Sequence, residues 1–519
     1  MKYIQLHAVL TVYLSISALH ASWPQWRGTY RNGVAQDSPA LKTEFPDKIP
    51  TLLWESFEIP SDDDGGHSSI VIENGHAYLS LIWHRHVPAT KRIIDSRVLR
   101  KLGYRNTKMP AGKIAAMEEA RLNLSPRLRG SKLEEWIDHW IKEKLTEEEK
   151  LHYESYVRGR LKQGKTALPI KVLDTVSSKK DSPFPDQTSL DKWVKEQGWE
   201  KGINEKVLDA IPGTKRVARD TVLCLDAMTG NEVWRFESPT EPVNRSASST
   251  PCIAGGRVYS VCGSVAYCLD AMTGKLIWKS PIISKGPASS PLIVEEKLII
   301  LDNTLKALDA KSGELLWEQK SVKGNKTSPA TWGKNRSLTI LCQSSKEFIG
   351  VNGNTGEIRW QVNGGGDASA AVSGNYVAIQ HKHSDSGLVV YQLTKDGIKK
   401  TWEYLYTSRR YSSSPILHKG WVYLLGASRH LCADIQTGKI QWNKPAKSEI
   451  ASPILADDKL FVMENNGGLL TILDASSDEY KELASIKVGA MRCPSPAIND
   501  GLLYLRRANS ICCFDFRKK

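Results

Sequence analysis

The chain has 519 residues, of which 40% are hydrophobic, and it carries 71 Lys and Arg against 57 Asp and Glu. Its length could hold roughly two or three domains, although one repeat domain could also take up most of it. The 16 Trp are typical of a packed β protein. After the N-terminus no stretch approaches the length of about 18 apolar residues that a membrane span needs, so no transmembrane segment is expected.

The first predicted element is a signal peptide over residues 1–21. Lys2 precedes an apolar run from Ile4 to Leu19, and Ala21 suits a cleavage site. Polar residues interrupt the run, which argues against a membrane span, and no Cys lies near the cleavage site for lipid attachment. The protein is therefore expected to be exported, to the periplasm or the extracellular space.

An N-terminal arm over residues 22–50 follows. It contains the segments WPQWRG at 23–28 and RNG at 31–33. Two tryptophans and a proline in such an arm predict a segment that packs against the surface of the main domain.

Residues 84–216 differ in character from the rest of the chain. Ser131 and Thr146 each stand three residues before a Glu, the pattern of a helix capping box, and apolar residues follow at helical spacing. Leu190 and Val207 lie in two shorter helical patterns. This region holds 29 Lys and Arg against 19 Asp and Glu, which leaves open an acidic partner or a simply solvated surface. The interleaved carboxylates argue against a nucleic-acid partner.

The rest of the chain is organised by a repeated step of Asp or Asn, then Gly four residues later, then Trp eight residues later. The acid or amide can accept hydrogen bonds in a turn, Gly allows the positive φ of that turn, and Trp offers a large apolar face to a neighbour. These residues are predicted to dock one repeat on the next: Asp226, Gly230, Trp234, Asp270, Gly274, Trp278, Asp309, Gly313, Trp317, Asn352, Gly356, Trp360, Asp434, Gly438, Trp442 and, before the first repeat, Trp54.

Each step is preceded by a second pattern, a Ser or Thr next to a Pro, then a strand, a turn and a strand with an aromatic residue. The tryptophans from 234 to 442 recur every 39 to 44 residues, a period typical of propeller blades. The sequence predicts an all-β, eight-bladed β-propeller of four-stranded antiparallel blades over residues 51–83 and 217–519. Residues 84–216 would form an α-helical insertion in the first blade. The last repeat ends after its third strand, so the strand of Trp54 should complete it and close the ring.

These repeats resemble the pyrroloquinoline-quinone-type propeller family. The family includes quinoprotein alcohol dehydrogenases and an outer-membrane protein assembly lipoprotein that uses the repeat without a cofactor. The resemblance covers 51–83 and 217–519 and implies the fold but not the activity, because the same residues build blades in both branches. The enzyme branch would imply pyrroloquinoline quinone (PQQ) with calcium. Its ligand motifs do not match this sequence, so no cofactor and no catalytic residue are predicted.

Two patterns of potential ligands are weighed against simple packing. Cys224, Cys268, Cys432 and Cys513 each lie two residues before an Asp at the end of a predicted strand, which favours a repeated core position. A bridge between the adjacent Cys512 and Cys513 is disfavoured because neighbouring strand residues point to opposite faces. The pairs His84/His86 and His381/His383 lack a third ligand, so no metal site is predicted.

One pattern suggests a binding site. Five basic residues stand six positions before the Pro of their repeats: Arg245, Lys285, Lys323, Arg409 and Lys447. They should lie on one rim of the propeller, near its channel, and attract anions.

Together these observations favour a monomeric, exported, non-enzymatic binding or assembly scaffold that recognises a protein or an anionic ligand. The alternatives are a quinone-dependent dehydrogenase with PQQ and calcium, and a polysaccharide-active enzyme that uses the channel rim.

Overall fold

The computed structural model describes residues 22–45, 49–61, 65–239, 249–262, 265–281, 288–324, 326–381, 387–395, 397–405, 413–425, 429–446 and 451–518. The predicted signal peptide lies outside these ranges. The chain divides into two compact units, one of Met1–His84 with Ala218–Lys519 and one of Arg85–Val217. No helix of the described residues is long and apolar enough to cross a membrane.

The fold is mostly β. The strands in chain order are β1 (Thr51–Glu55), β2 (Val71–Glu73), β3 (His76–Pro88), β4 (Arg92–Ile93), β5 (Pro183–Phe184), β6 (Thr214–Asp226), β7 (Glu232–Glu237), β8 (Cys252–Ala254), β9 (Arg257–Cys262), β10 (Val265–Asp270), β11 (Leu276–Pro281), β12 (Leu292–Val294), β13 (Lys297–Asp309), β14 (Leu315–Gly324), β15 (Ala330–Trp332), β16 (Thr339–Gln343), β17 (Glu347–Asn352), β18 (Ile358–Asn363), β19 (Ala371–Ser373), β20 (Tyr376–Gln380), β21 (Leu388–Thr394), β22 (Gly397–Tyr404), β23 (Ile416–His418), β24 (Trp421–Leu424), β25 (Arg429–Asp434), β26 (Ile440–Pro445), β27 (Ile454–Ala456), β28 (Lys459–Glu464), β29 (Leu469–Asp474), β30 (Glu482–Lys487), β31 (Ala497–Asn499), β32 (Leu502–Arg506) and β33 (Ile511–Asp515).

Within the described residues these strands form eight antiparallel sheets of three or four strands, besides the small pair β4–β5. Numbered from the first sheet in the chain, and with the inner strand given first, they are sheet 1 (β2, β3, β6, β7), sheet 2 (β8, β9, β10, β11), sheet 3 (β12, β13, β14), sheet 4 (β15 to β18), sheet 5 (β19 to β22), sheet 6 (β23 to β26), sheet 7 (β27 to β30) and sheet 8 (β31, β32, β33, β1).

The middle strands of the sheets are buried, and the outer strands are half exposed. In sheet 2 the central four residues of β10 are buried, whereas β11 buries only Trp278 of its six residues. A sheet packed on both faces needs apolar residues at successive positions, which explains the continuous apolar runs of the middle strands.

Sheet 8 joins the two ends of the chain. Strand β1 pairs antiparallel with β33, with Thr51 opposite Asp515 and Trp54 opposite Cys513. The predicted pairing of the first strand with the last repeat is therefore confirmed.

Sheet 3 has a tighter connection than the other sheets. Strand β13 pairs with β12 through Lys297–Ile299 and with β14 from Asn303 to Leu308, so its two halves stand where two separate strands stand in the other sheets. Asn303 lies at the bend with φ 59°. Because Asn tolerates this left-handed conformation better than most residues, the connection shortens to a single position.

Seven cysteines are buried free thiols, namely Cys224, Cys252, Cys268, Cys342, Cys432, Cys512 and Cys513. Cys224, Cys268, Cys432 and Cys513 have no exposed surface, and Cys512 and Cys513 do not form a bridge. Burial raises the pKa of the Cys513 thiol to about 12, so this group is a neutral, packed thiol at ordinary pH.

The second unit is helical. Its helices are α1 (Ser96–Lys101), α2 (Ala111–Leu122), α3 (Ser131–Lys144), α4 (Glu147–Gln163), α5 (Ile170–Ser178), α6 (Gln187–Glu196) and α7 (Lys201–Ala210). The capping box of Thr146 and Glu149 is confirmed. The one predicted at Ser131 is wrong, because Gly130 is the N-cap and Ser131 is already helical. Two separate apolar clusters form within this unit, one around Ile137 and Trp140 and one around Leu173 and Val194.

Candidate functional site

The repeated acid holds the turn between the third and fourth strand of its sheet. The Asp270 Oδ1 atom accepts hydrogen bonds from Met272 N at 3.1 Å, Thr273 N at 2.8 Å and Thr273 Oγ1 at 2.8 Å. The same arrangement recurs at Asp226 and Asp434. The Thr273 hydroxyl and backbone N–H lower the pKa of the Asp270 carboxyl below its usual value, because hydrogen bonds to the charged form stabilise it.

The repeated Gly and Trp meet across neighbouring sheets. A Cβ atom on Gly274 of sheet 2 would lie 2.5 Å from the ring of Trp234 in sheet 1, so no other residue fits without displacing the ring. The Trp234 Nε1 atom also donates to Ala271 O at 3.0 Å. The same pairings occur for Trp54 with Gly230, Trp278 with Gly313, Trp317 with Gly356 and Trp402 with Gly438.

The tryptophan of one sheet shares its acceptor with a tyrosine. The carbonyl of Ala310 in sheet 3 accepts from Trp278 Nε1 at 3.1 Å and from Tyr259 OH at 3.1 Å, and both donors belong to sheet 2. Tyr504 and Trp54 of sheet 8 both donate to the carbonyl of Ala227 in the same way. Each of these contacts therefore combines a large apolar surface with satisfied polar groups.

Two of the predicted docking tryptophans differ from the others. Trp442 donates to Ser476 O at 3.0 Å in sheet 7, whose turn lacks the repeated Gly. The ring of Trp360 lies against Gly350 of its own sheet, where a Cβ would be 2.2 Å away. Sheet 5 carries no Asp-x-x-Thr-Gly turn after its third strand, so it offers no equivalent platform for Trp360. The docking role of the whole set stays a prediction.

A closed ring of hydrogen bonds joins all eight sheets at their inner strands. In each step a backbone N–H donates to the hydroxyl oxygen of the next residue, at 2.7 to 3.1 Å. All of these residues are at least nine-tenths buried. In ring order they are Ser69, Thr250, Ser290, Ser328, Ser369, Ser414, Ser452 and Ser495, which donates back to Ser69. Six of the eight stand directly before a Pro, and this recurring pair could have indicated the ring, but the pattern alone predicts only strands.

The N-terminal arm enters this ring. Trp23 pairs with Ile72 in sheet 1, Ile253 N of sheet 2 donates to Pro24 O at 2.8 Å, and Ala35 N donates to Leu455 O of sheet 7 at 2.8 Å. The arm thus contacts the inner strands of several sheets. The arm therefore packs against the main domain as predicted, and the strands that it contacts are the inner ones.

The predicted basic rim is described only in part. Arg245, Lys285, Arg409 and Lys447 lie outside the described residues. Lys323 is exposed near the end of β14. The rim and its anionic ligand therefore stay predictions.

Beside Lys323 lies a small polar cavity of about 180 Å³, lined in part by Lys326, Thr327, Ser344 and Asp367. The Lys326 Nζ and Asp367 Oδ1 atoms are 3.8 Å apart. This carboxylate offsets part of the local positive charge, so the cavity is a poor anion site.

A calcium site needs several oxygen ligands on one centre. Among the described residues, no group of three or more His, Cys, Asp or Glu side chains lies together where it could hold a metal ion. His84 is buried and His86 is exposed, and His383 lies outside the described ranges. Calcium also takes amide and backbone oxygens as ligands, so the alternative with PQQ and calcium stays untested.

The antiparallel sheets, their repeated turns and the docking tryptophans define a β-propeller of PQQ-like repeats. A family model described as "Outer membrane protein assembly factor BamB" matches residues 218–363 and 302–482. These matches together span more than half of the 519-residue chain, so the chain belongs to this family. No curated protein matches the sequence.

Several solved structures resemble the chain. BamB from Moraxella catarrhalis is 17% identical with a TM-score of 0.46, covering 56% of this chain and 88% of that one. Quinohemoprotein alcohol dehydrogenase from Comamonas testosteroni is 14% identical with a TM-score of 0.41, covering 57% and 72%. Saccharomyces cerevisiae Sqt1 is 10% identical with a TM-score of 0.48, covering 58% and 93%. Identities this low concern the fold alone and do not distinguish a scaffold from an enzyme.

Proposed function

We propose that this protein is an exported, non-enzymatic scaffold that binds a partner protein along the outer strands of sheets 8, 1, 2 and 3. The observation that carries the proposal is a set of large apolar side chains on these strands and their turns. They are 38 to 63% exposed, and we call them the apolar edge: Leu52, Leu53, Met228, Val233, Met272, Leu276, Ile277, Leu315 and Leu316.

The apolar edge is confined to one part of the ring. At the position directly before the outer-strand Trp, these four sheets carry Leu53, Val233, Ile277 and Leu316. At the same position sheets 4, 5 and 6 carry Arg359, Thr401 and Gln441. Blade packing imposes the same needs on all of these strands, so packing does not explain the difference.

The four sheets that carry the apolar edge are also consecutive neighbours in the ring. The indole N–H groups of Trp54, Trp234 and Trp278 each donate to the next sheet of the series. Single exposed apolar residues are ordinary on protein surfaces, but a contiguous set marks an interaction site.

The partner that fits best is a protein segment in extended conformation. The outer strands are the last of their sheets, so one side of each backbone is unpaired in the described residues. An added strand can use those backbone groups while its apolar side chains contact the apolar edge. The description of the family as an assembly factor for outer membrane proteins supports a protein partner and an exported location.

The number of blades belongs to the same proposal. We infer that the eight sheets are eight blades of one propeller and that residues 84–216 are a helical insertion in the first blade. The hydrogen-bonded ring of eight Ser and Thr residues supports this count. Strands β3 and β6 are neighbours in sheet 1, and the helices lie between them in the sequence. This order supports the insertion.

Peptide binding tests the proposal. The probe is a labelled peptide of alternating Val and Thr, and its control is the same peptide with Pro at alternate positions, which cannot pair as a strand. We expect the first peptide alone to bind. Ile277→Lys with Leu316→Lys should weaken binding at least about tenfold, the loss of roughly 1.4 kcal/mol that desolvated apolar contacts can supply.

The matched control is Thr401→Lys with Gln441→Lys, which adds the same charges on the outer strands of sheets 5 and 6. This variant should bind like the wild type. Equal losses in both variants, or equal binding of both peptides, would refute the apolar edge as the site. A concentration-dependent dimer of the wild-type protein that Ile277→Lys abolishes would show that a second copy covers this edge instead.

The quinoprotein alternative has its own test. Purified protein is incubated with PQQ and calcium and then separated from free quinone. We expect no quinone absorbance on the protein. Retained absorbance at one quinone per chain would overturn the non-enzymatic function.

A further inference from the structure

Two arginines of the N-terminal arm are buried inside the ring of sheets. The side chains of Arg27 and Arg31 are 1% and 4% exposed. Arginine is rarely this buried unless a carboxylate or another anion pairs with it.

Within the described residues, the hydrogen-bond acceptors of both guanidinium groups are neutral oxygen atoms. The Arg27 Nη2 atom donates to Asn32 O at 3.0 Å and to Pro415 O of sheet 6 at 2.5 Å. The Arg31 Nη1 atom donates to Pro291 O of sheet 3 at 2.7 Å and to Gln25 Oε1 at 3.2 Å, and its Nη2 atom donates to Ser290 O at 3.0 Å.

Other nitrogen atoms of the same side chains have no acceptor in the part of the chain that the structure describes. Among the described residues, no hydrogen-bond partner meets the Nε and Nη1 atoms of Arg27 or the Nε atom of Arg31. A buried donor without an acceptor costs about 1–3 kcal/mol, and more when it is charged.

The two positive charges also lie near each other, and no acidic side chain in the described ranges pairs with them. Both guanidinium carbons are within 6 Å of the Trp26 ring centroid, Arg27 at 5.7 Å and Arg31 at 5.9 Å. None of the ion pairs of the described residues includes Arg27 or Arg31. Burial, and then the charge of Arg31, lower the pKa of Arg27 to about 9.

The nearby thiol cannot supply the missing charge. Burial raises the pKa of Cys252, which interacts with Arg31, to about 12. The thiol is therefore neutral at ordinary pH, and the arm keeps two buried cations with unused donors.

We propose that Arg27 and Arg31 bind a small monovalent anion of the size of a halide or formate. The anion holds the N-terminal arm at the centre of the ring. Two cations with free N–H groups are complementary to an anion that accepts several hydrogen bonds. The anion is small because the backbone crowds the arm. A Cβ on Gly33 would lie 3.0 Å from Arg27 Nη2 and 3.1 Å from Pro453 O.

Thermal unfolding in different sodium salts tests the site. The melting temperature of the full chain is measured in chloride, formate and gluconate at equal ionic strength, with gluconate as an anion too large to enter. An anion bound only by the folded state should raise the melting temperature by about 1–2 °C for each tenfold increase above its dissociation constant. We expect this rise in chloride or formate and not in gluconate. Identical melting temperatures in the three salts would overturn the proposal, since general screening acts equally in all of them.

Variants and crystals separate this site from others on the basic surface. Arg27→Met should abolish the difference between chloride and gluconate, whereas the control Arg359→Met, on the outer strand of sheet 4, should keep it. If Arg27→Met fails to fold, crystals of the wild-type protein grown in bromide give the answer through the anomalous signal of that ion. Bromide between Arg27 and Arg31 supports the proposal, and bromide only at exposed lysines refutes it.

Discussion

The sheets contact one another by different chemistry at the perimeter and at the centre of the ring. At the perimeter five contacts place a Trp ring on a Gly of the next sheet, as Trp234 does on Gly274. At the centre the contacts are hydrogen bonds from backbone N–H groups to small hydroxyls, as from Thr250 to Ser290 at 3.0 Å.

The two kinds of contact differ because neighbouring sheets are farther apart at the perimeter of the ring than at its centre. Sheets that diverge from a common centre leave a gap at the outside that only a large side chain can fill, and they crowd together at the inside. Small residues fit there, but they bring buried backbone groups that must find partners. A broken outer contact should therefore leave a cavity, whereas a broken inner contact should leave an unsatisfied polar group.

The largest effect is expected from emptying an outer contact. Trp278→Ala removes a buried ring and its bond to Ala310 and should lower the free energy of unfolding by about 3–5 kcal/mol. Urea unfolding measures it. Trp360→Ala is the comparison and should cost less, because the ring of Trp360 lies on its own sheet. An equal cost for both would mean that contact between sheets is not what these tryptophans supply.

The second largest loss of stability is expected from adding a methyl group against the ring of an outer-strand Trp. Gly274→Ala puts a methyl group 2.5 Å from the Trp234 ring, at a residue whose φ is 68°. We expect a loss of about 2–3 kcal/mol from overpacking and backbone strain. Gly420→Ala is matched in φ, at 84°, and has nothing within 4 Å of the new atom. It should cost only about 1 kcal/mol. Similar losses of stability in the two variants would show that contact with the Trp234 ring is not what makes Gly274 necessary.

Breaking an inner contact should cost somewhat less. Ser290→Ala removes the acceptor of the Thr250 N–H, and an unsatisfied buried donor costs about 1–3 kcal/mol. Ser290→Thr keeps the hydroxyl, as Thr250 already does at its own position in the ring, and should restore most of the stability. Chemical denaturation of the two variants checks this. If Ser290→Thr is as unstable as Ser290→Ala, shape rather than hydrogen bonding governs the centre.

The smallest effect concerns the exposed turns, and it depends on pH. The pKa of Asp270 is lowered in the folded state by the Thr273 hydroxyl and N–H. Its contribution to stability is therefore present above the ordinary pKa of about 3.8 and is lost as pH falls through the lower folded value. Asp270→Asn should be less stable than the wild type at neutral pH, and the difference should shrink below about pH 4. Melting temperatures across this range measure it, and a difference that is constant with pH would contradict the assignment.

The sequence carries more information about the perimeter than about the centre. The outer contact uses residue types with narrow roles, such as the Gly at positive φ and the Trp eight residues after the acid, and their spacing predicts both the turn and the strand. The pairing of β1 with β33 follows from the same repeat, because its last copy lacks a fourth strand.

The centre is harder to predict because its residues are small or occur once. Ser290 and Ser414 belong to a pattern that many strands share, and their hydroxyl bonds join residues that lie about 40 positions apart. Arg27 and Arg31 stand in a single-copy arm, so no repetition marks them. Their depth in the ring depends on the tertiary fold, which short-range patterns do not encode. The tight connection between the two halves of β13 also has a local reason, the left-handed φ of Asn303.

The union of the first and last strands in sheet 8 has a consequence for the order of folding. The Ser510 hydroxyl bonds to Glu55 across a separation of 455 positions in the sequence. Contacts of such long range form slowly, because a large loop must close before they stabilise anything. Strand β1 is synthesised long before β33, so it has no partner in sheet 8 until β33 is present. Sheet 8 is therefore the last sheet of the ring to form. Until it forms, the unpaired strand β1 is most open to chaperones and to misassembly.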